Sequence, residues 1–258
     1  MGAENSRRHP TACFLEKKEN RMKLYNPFRF LSRFEWALWI ASLAVVTVSF
    51  FVGGREGVLS LVASLVGVTA LIFVAKGDVT GQALCVVFSV LYAIVSWEQR
   101  YYGEMITYLC MSAPISAISV VAWLKNPYAK DRCEVKMTRL GRRDAITAAI
   151  LTLVVTFAFY WILRALDTAA LEVSTVSVTT SFLAAYLLYR RSPFYALAYA
   201  ANDLVLIVLW CIVSVRDLSA LSMVACFLAF LANDLYGFIN WIGVRQRQDR
   251  GEGIEQVK

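Results

Sequence analysis

The chain has 258 residues, 59% of them hydrophobic, and a formal net charge of +7. Helices of a soluble domain carry one apolar stripe, whereas this chain, with a mean hydropathy of +0.56, reads as long runs that are apolar all round. An ordinary soluble domain is thereby excluded. A nucleic-acid-binding protein is excluded too, because the basic residues sit in short connections and form no folded basic face.

Residues 1–35 are polar and charged, without the short apolar stretch and small-residue cleavage site of a signal peptide. Leu24–Phe34 mixes aromatics with arginine and is expected at a membrane interface. Eight apolar runs follow, at 36–53, 58–75, 80–96, 105–124, 145–164, 173–189, 194–214 and 218–243. A helix that crosses the hydrocarbon core needs about 17–25 apolar residues, so each run predicts a transmembrane helix. Asn126-Pro127 ends the fourth, since a residue before proline is pushed out of helical geometry. The basic segment 125–144 is the one sizeable connection, expected to be a solvated cytoplasmic tether. With the N-terminus inside, 22 of the 26 Lys and Arg fall on the inner side. Outside lie only Arg55, Arg100, Arg164 and Arg216, so the positive-inside rule predicts both termini in the cytoplasm. The cysteines at 13, 85, 110, 133, 211 and 226 form no CxxC pair, and packing is their expected role.

A shift of 113 residues brings two halves into register. Ser64 meets Ser177, Ala83-Leu84 meets Ala196-Leu197, Trp97 meets Trp210, and Glu104 meets Asp217. The expected fold is all-α and polytopic, with eight transmembrane helices arranged 1 + (3+1+3). An extra first helix (36–53) precedes a three-helix repeat (58–124). A connector helix (145–164) then leads to a second repeat (173–243) and a cytoplasmic tail (244–258). Four crossings separate the two repeats, so they are parallel. Transporters are often built from such repeats, with the ligand site near the midplane between them.

Ala-Asn-Asp-Leu occurs twice, at Ala201–Leu204 and Ala232–Leu235, inside the last two runs. At 1.5 Å rise per residue, Asp203 and Asp234 both lie about 17 Å from the inner basic flanks at Arg191 and Arg245. They share one depth near the bilayer middle. An ionisable group there costs at least about 2.5–3.5 kcal/mol unless it faces protein, water or ligand. Helical spacing groups Tyr199, Asp203, Leu206 and Trp210 on one stripe, and Asp234, Phe238 and Trp241 on another. Asn233, Tyr236 and Asn240 form a neighbouring stripe. In the first half, Ser89, Tyr92 and Ser96 align on the third span, and Ser112, Ser116, Ser119 and Trp123 on the fourth.

Each feature also has a structural reading. Small polar residues in spans serve close helix packing. Trp97, Trp123, Trp241, Tyr101 and Tyr102 near span ends fit an interfacial aromatic belt. The Asn-Asp pairs could form an interhelical clamp. As a binding site, aromatic faces beside carboxylates favour a flat cationic group, while amides and hydroxyls suit a ligand rich in hydroxyl and amide groups. A phosphorylated ligand would lack an intramembrane Lys or Arg partner. Asp203 with Asp234 could mimic an intramembrane aspartyl protease, but the Gly-rich context is missing. No catalytic motif, metal-ligand spacing or cofactor signature appears, so no enzyme, metal or cofactor is expected.

Tyr101–Met105 (YYGEM) running into Pro114 and Trp123–Pro127 (WLKNP), with Asn202–Trp210 (NDLVLIVLW) and Asn233–Trp241 (NDLYGFINW), resembles the PnuC family of nicotinamide riboside transporters. The resemblance covers roughly 58–245, including the 3+1+3 layout shared with the SWEET sugar carriers. It implies a multi-pass protein of the bacterial inner membrane that moves an unphosphorylated vitamin precursor by facilitated diffusion. A cytoplasmic kinase would trap the product. The ligand-contacting set expected is Asn202, Asp203, Trp210, Tyr199, Asn233, Asp234, Tyr236 and Asn240, joined by Ser89, Tyr92, Ser116 and Trp123. The chain departs from many relatives late in the fourth span, where it has Ser116, Ser119, Val120 and Val121. Thiamine or riboflavin transport remains an alternative, and a non-transporting receptor or scaffold is the reading from another class. The partners implied are the small-molecule substrate and the lipid bilayer; a homo-oligomer is compatible with the sequence.

Overall fold

Residues 15–18, 21–24, 26–52, 57–98, 101–128, 134–168, 170–215 and 221–250 are described in a computed structural model of the chain. Arg55, Arg100, Arg216, Asp217, Cys13 and Cys133 lie outside those residues, as do both chain ends. The apolar runs appear as eight helices long enough to cross a membrane. They are α1 (Arg33–Val52), α2 (Val58–Ala75), α3 (Val79–Glu98), a composite fourth span, α6 (Arg142–Ala165), α7 (Leu171–Tyr189), α8 (Tyr195–Ser214) and α9 (Leu221–Asp249). The fourth span joins α4 (Tyr102–Ile106), a π turn (Thr107–Ser112) and α5 (Ala113–Leu124). One departure from an all-helical chain precedes them, an antiparallel hairpin of β1 (Leu15–Lys18) and β2 (Arg21–Leu24) that pairs Leu15 with Leu24.

Local chemistry explains the joints. Gly77 follows α2 at φ +69°, the left-handed position that glycine adopts without strain. Asp78 then caps α3, its carboxylate accepting from the Thr80 N–H at 2.8 Å. A Cβ on Gly81 would stand 2.4 Å from the Val74 backbone nitrogen, so glycine sets how closely α3 approaches α2. In the fourth span, Pro114 has no N–H to return to Cys110, and its ring would strike that carbonyl. The helix widens instead, and the Ala113 N–H reaches back five residues to Tyr108. Such π turns are uncommon and frequently mark functional sites.

The spans close a ring. α2 packs on α3, α3 on α4 and α5, α5 on α7, α7 on α8, α8 on α9, and α9 back on α2. Outside the ring, α1 lies against α2 and α9, and α6 against α7. α1 is held at its first turn. Glu35, 1% exposed, accepts from the Ser32 N–H at 2.6 Å and from Tyr236 of α9, and pairs with Lys76 Nζ at 3.1 Å. Higher up, Asn233 Nδ2 donates to Ser42 Oγ at 3.0 Å and to the Ala229 carbonyl at 2.7 Å.

Two apolar clusters fill the ring at different depths. One holds Phe88, Tyr92, Tyr108, Trp210, Phe227 and Phe230. The other holds Val74, Trp123, Leu188, Tyr195, Trp241 and Val244 and lies at the end carrying Lys76, Arg190 and Arg191, called here the basic end. Trp123 and Trp241 correct the expectation of an interfacial belt. Both are fully buried, with indoles donating to the Leu188 carbonyl at 3.4 Å and the Val74 carbonyl at 2.9 Å. Trp97, by contrast, is exposed, and Tyr101 is half-buried against Trp210.

The connection expected as a solvated tether is folded where it is described. The Val135 N–H donates to the Gly77 carbonyl, and the Thr138 N–H to the Arg191 carbonyl. Glu134 accepts two bonds of 2.8 Å from Arg247, and Gln248 accepts from the Met137 N–H. Residues 134–138 thus strap the α2–α3 turn, the α7–α8 turn and the end of α9 together, with Val135 fully buried beneath. Val135 and Met137 of that strap, absent from any helical pattern, join Trp123 and Trp241 in one apolar cluster.

Candidate functional site

Between the two apolar clusters lies a largely enclosed cavity of about 50 Å³. Every span of the ring lines it, the fourth through its π turn and α5, and α1 and α6 contribute nothing. α2 gives Gly67, Ala70, Leu71 and Val74; α3 gives Cys85, Phe88 and Ser89. The fourth span gives Tyr108, Ser112 and Ser116. α7 gives Ser181 and Leu188, α8 gives Tyr199, Asn202 and Asp203, and α9 gives Phe230 and Asp234. Gly67 is required by space, because a Cβ there would stand 2.4 Å from the Phe230 ring.

The amide of Asn202 is fixed by α7. Its Oδ1 accepts from Thr180 Oγ1 and Ser181 Oγ at 2.9 Å, and more weakly from Ser177 Oγ at 3.4 Å. Three hydroxyls on one oxygen leave the amide nitrogen as the group available to a ligand. Asp203 of α8 and Asp234 of α9 both line the cavity. Asp203 Oδ2 takes no partner. Tyr108 sits 4.3 Å from Tyr92, whose hydroxyl accepts from the Trp210 indole at 3.0 Å. The aromatic wall is therefore braced from behind. No Lys or Arg is among the lining residues.

Of the twelve residues expected from sequence, Ser89, Ser116, Tyr199, Asn202, Asp203 and Asp234 line the cavity. Tyr92 and Trp210 stand one layer behind it. Trp123 belongs to the cluster at the basic end. Asn233 and Tyr236 bond to α1, and Asn240 Nδ2 donates to the Ala75 carbonyl at 2.7 Å. α9 carries polar groups on several faces, and only the Asp234 face meets the cavity. Sequence reasoning missed Tyr108, Cys85, Phe88, Phe230, Ser112 and Ser181 as lining residues. For Ser112 the signal was present, since it heads the stripe running through Ser116.

Residues 57–243 match the family described as nicotinamide mononucleotide transporter. The chain belongs to that family. It is 25% identical to the nicotinamide riboside transporter PnuC of Neisseria mucosa over 247 residues, covering 92% of this chain and 94% of the relative. It is 23% identical to the nicotinamide riboside transporter PnuC of Haemophilus influenzae, covering 81% of this chain and 90% of that one. A crystal structure of the vitamin B3 transporter PnuC superposes with a TM-score of 0.75 at 25% identity, covering 84% of this chain and 94% of the other. The chain is thus a multi-pass inner-membrane transporter of the family and not an enzyme. The whole cavity falls inside the matched region, and α1 lies before it.

Proposed function

We propose that this chain carries nicotinamide riboside across the inner membrane by alternating access, downhill, with a cytoplasmic kinase trapping what arrives. The observation that carries the reading is the cavity between the halves of the ring. Its lining combines a carboxyl pair, the Asn202 amide, serine hydroxyls and aromatic faces without a basic side chain. A cationic pyridinium fits the carboxyl pair and the rings of Tyr108, Phe88 and Phe230; the carboxamide and ribose fit Asn202 and the hydroxyls. A phosphate would meet no cation there, so the unphosphorylated nucleoside is favoured over the mononucleotide.

About 50 Å³ holds a few water molecules and no nucleoside, so the helices must part at one end to load and at the other to release. The 113-residue offset supports a parallel repeat as the basis of that motion. It carries α2 (58–75) onto 171–188, within α7 (Leu171–Tyr189). It also carries α1 (33–52) onto 146–165, within α6 (Arg142–Ala165), which extends the repeat to four helices plus four. Both termini belong in the cytoplasm, in keeping with the basic end, and a homo-oligomer is compatible with the exposed apolar faces outside the ring.

Purified protein in liposomes, given labelled nicotinamide riboside, its mononucleotide and thiamine in separate runs, tests the reading. Saturable uptake of the riboside alone is expected. Uptake of the mononucleotide or thiamine in its place, or no flux at all, overturns it.

A further inference from the structure

The fourth span holds a carboxylate that the cavity does not use. Glu104 is 1% exposed; neither of its oxygens is within normal hydrogen-bonding geometry of a partner, and the Ser177 hydroxyl of α7 is the neighbour closest to providing one. No Lys or Arg among the described residues pairs with it. The other acidic groups of the ring's spans, Asp203 and Asp234, line the cavity; Glu104 does not. Burying a lone carboxylate is costly, and a chain that tolerates it leaves the position for a partner that is not part of the chain.

Its placement indicates what that partner is. Glu104, Tyr108, Ser112 and Ser116 follow one another at intervals of four residues. In a plain α-helix such a line drifts around the axis. The π turn between Thr107 and Ser112 turns it back. Tyr108, Ser112 and Ser116 line the cavity, so Glu104 continues their row away from the basic end. Its charge is felt at Tyr92 and Tyr108, and beside it is Ser177 of α7, whose hydroxyl also reaches Asn202. Ser96, Thr168 and Ser174, at the same end, carry buried hydroxyls that likewise lack partners. Two tyrosine rings in mutual contact, tilted by 57°, beside a buried carboxylate offer a receptor for a flat organic cation.

We infer that Glu104, with Tyr92 and Tyr108, is a charge-selective subsite on the far side of the cavity from the basic end, which engages the cationic ring of the ligand as it moves in and out of the central site. The inference rests on the reading of the chain as a nicotinamide riboside carrier. It adds to the Asp203–Asp234 pair a further carboxylate that meets the charged ring on its way to the central site, leaving amide and hydroxyl recognition to Asn202 and the serines.

The reduced dihydro form of the same nucleoside keeps the amide and ribose and loses the positive charge. Uptake of the two forms into proteoliposomes therefore isolates the charge. Wild-type protein is expected to prefer the oxidised form on the order of tenfold or more. Glu104→Gln, close to isosteric, should lower that preference about threefold or more, the remainder resting on Asp203 and Asp234, with oxidised uptake falling more than dihydro uptake. Glu104→Asp should retain it. Equal loss of both forms in Glu104→Gln marks a structural residue and overturns the inference, as does an unchanged preference. Should Glu104→Gln fail to fold, equal uptake of the two forms by wild type overturns it by itself. Wild-type protein that carries neither form defeats the carrier reading instead, so the two failures are distinct.

Discussion

Asn202→Ala separates what this side chain does for the fold from what it does for a ligand. Removing the amide strips an acceptor from the hydroxyls of Thr180, Ser181 and Ser177. Thr180 has alternatives at the Val176 carbonyl, 3.0 Å away, and the Ser177 carbonyl, 3.1 Å away. Ser181 is buried and has none, so the variant should lose about 1–3 kcal/mol of stability, the usual cost of one orphaned buried donor. Ligand affinity should fall by a similar energy, roughly 5- to 150-fold, through loss of the amide nitrogen. Adding Ser181→Ala removes the orphan, so the double variant should regain most of the stability and none of the affinity. Thermal unfolding in detergent and uptake in proteoliposomes measure the two separately. Uptake that recovers together with stability would show that Asn202 only braces α7 against α8, and the assignment of its amide to the ligand would be wrong.

Gly81→Ala forces a Cβ against backbone rather than a movable side chain, so a loss of about 1–3 kcal/mol in detergent melting is expected, without rescue by shrinking Val74. Asn240→Ala removes a bond to the Ala75 carbonyl outside the cavity; stability should drop by about 1 kcal/mol while the KM for uptake stays within twofold, roughly the noise of such assays. Arg247→Met leaves Glu134 with Gln248 alone. Because Arg247 is 37% exposed, the stability change should stay near about 1 kcal/mol or less, yet protease should cut within 134–141 faster than in wild type.

The span count was legible because bilayer thickness fixes helix length, and the shared depth of Asp203 and Asp234 because helical rise is constant. Which stripe of a helix faces the ring was not. Asn233, Tyr236 and Asn240 look as site-like as Asp234 on a helical wheel, but α9 also touches α1 and α2, and those helices claim them. The row from Glu104 to Ser116 was hidden for another reason, since a wheel assumes α geometry and Pro114 converts the preceding turn to π. Trp123 and Trp241 were placed at the interface from their position near span ends. They are instead enclosed by Tyr195, Leu188, Val74 and the returning residues Val135 and Met137, and such contacts between separate segments leave no periodic trace.

The strap bears on leakage as well as on closure. A carrier whose two halves parted independently at the basic end would at times open there while still open at the other end, and solutes would run through. Residues 134–138 fasten the α2–α3 turn of the first half to the α7–α8 turn and α9 of the second. Splaying of either half at that end would strip hydrogen bonds of the one strap, backbone bonds to the two turns and side-chain bonds to α9, which couples the two partings. A through-pore would need that coupled parting to coincide with an open far end, and the cost of the strap keeps the coincidence rare.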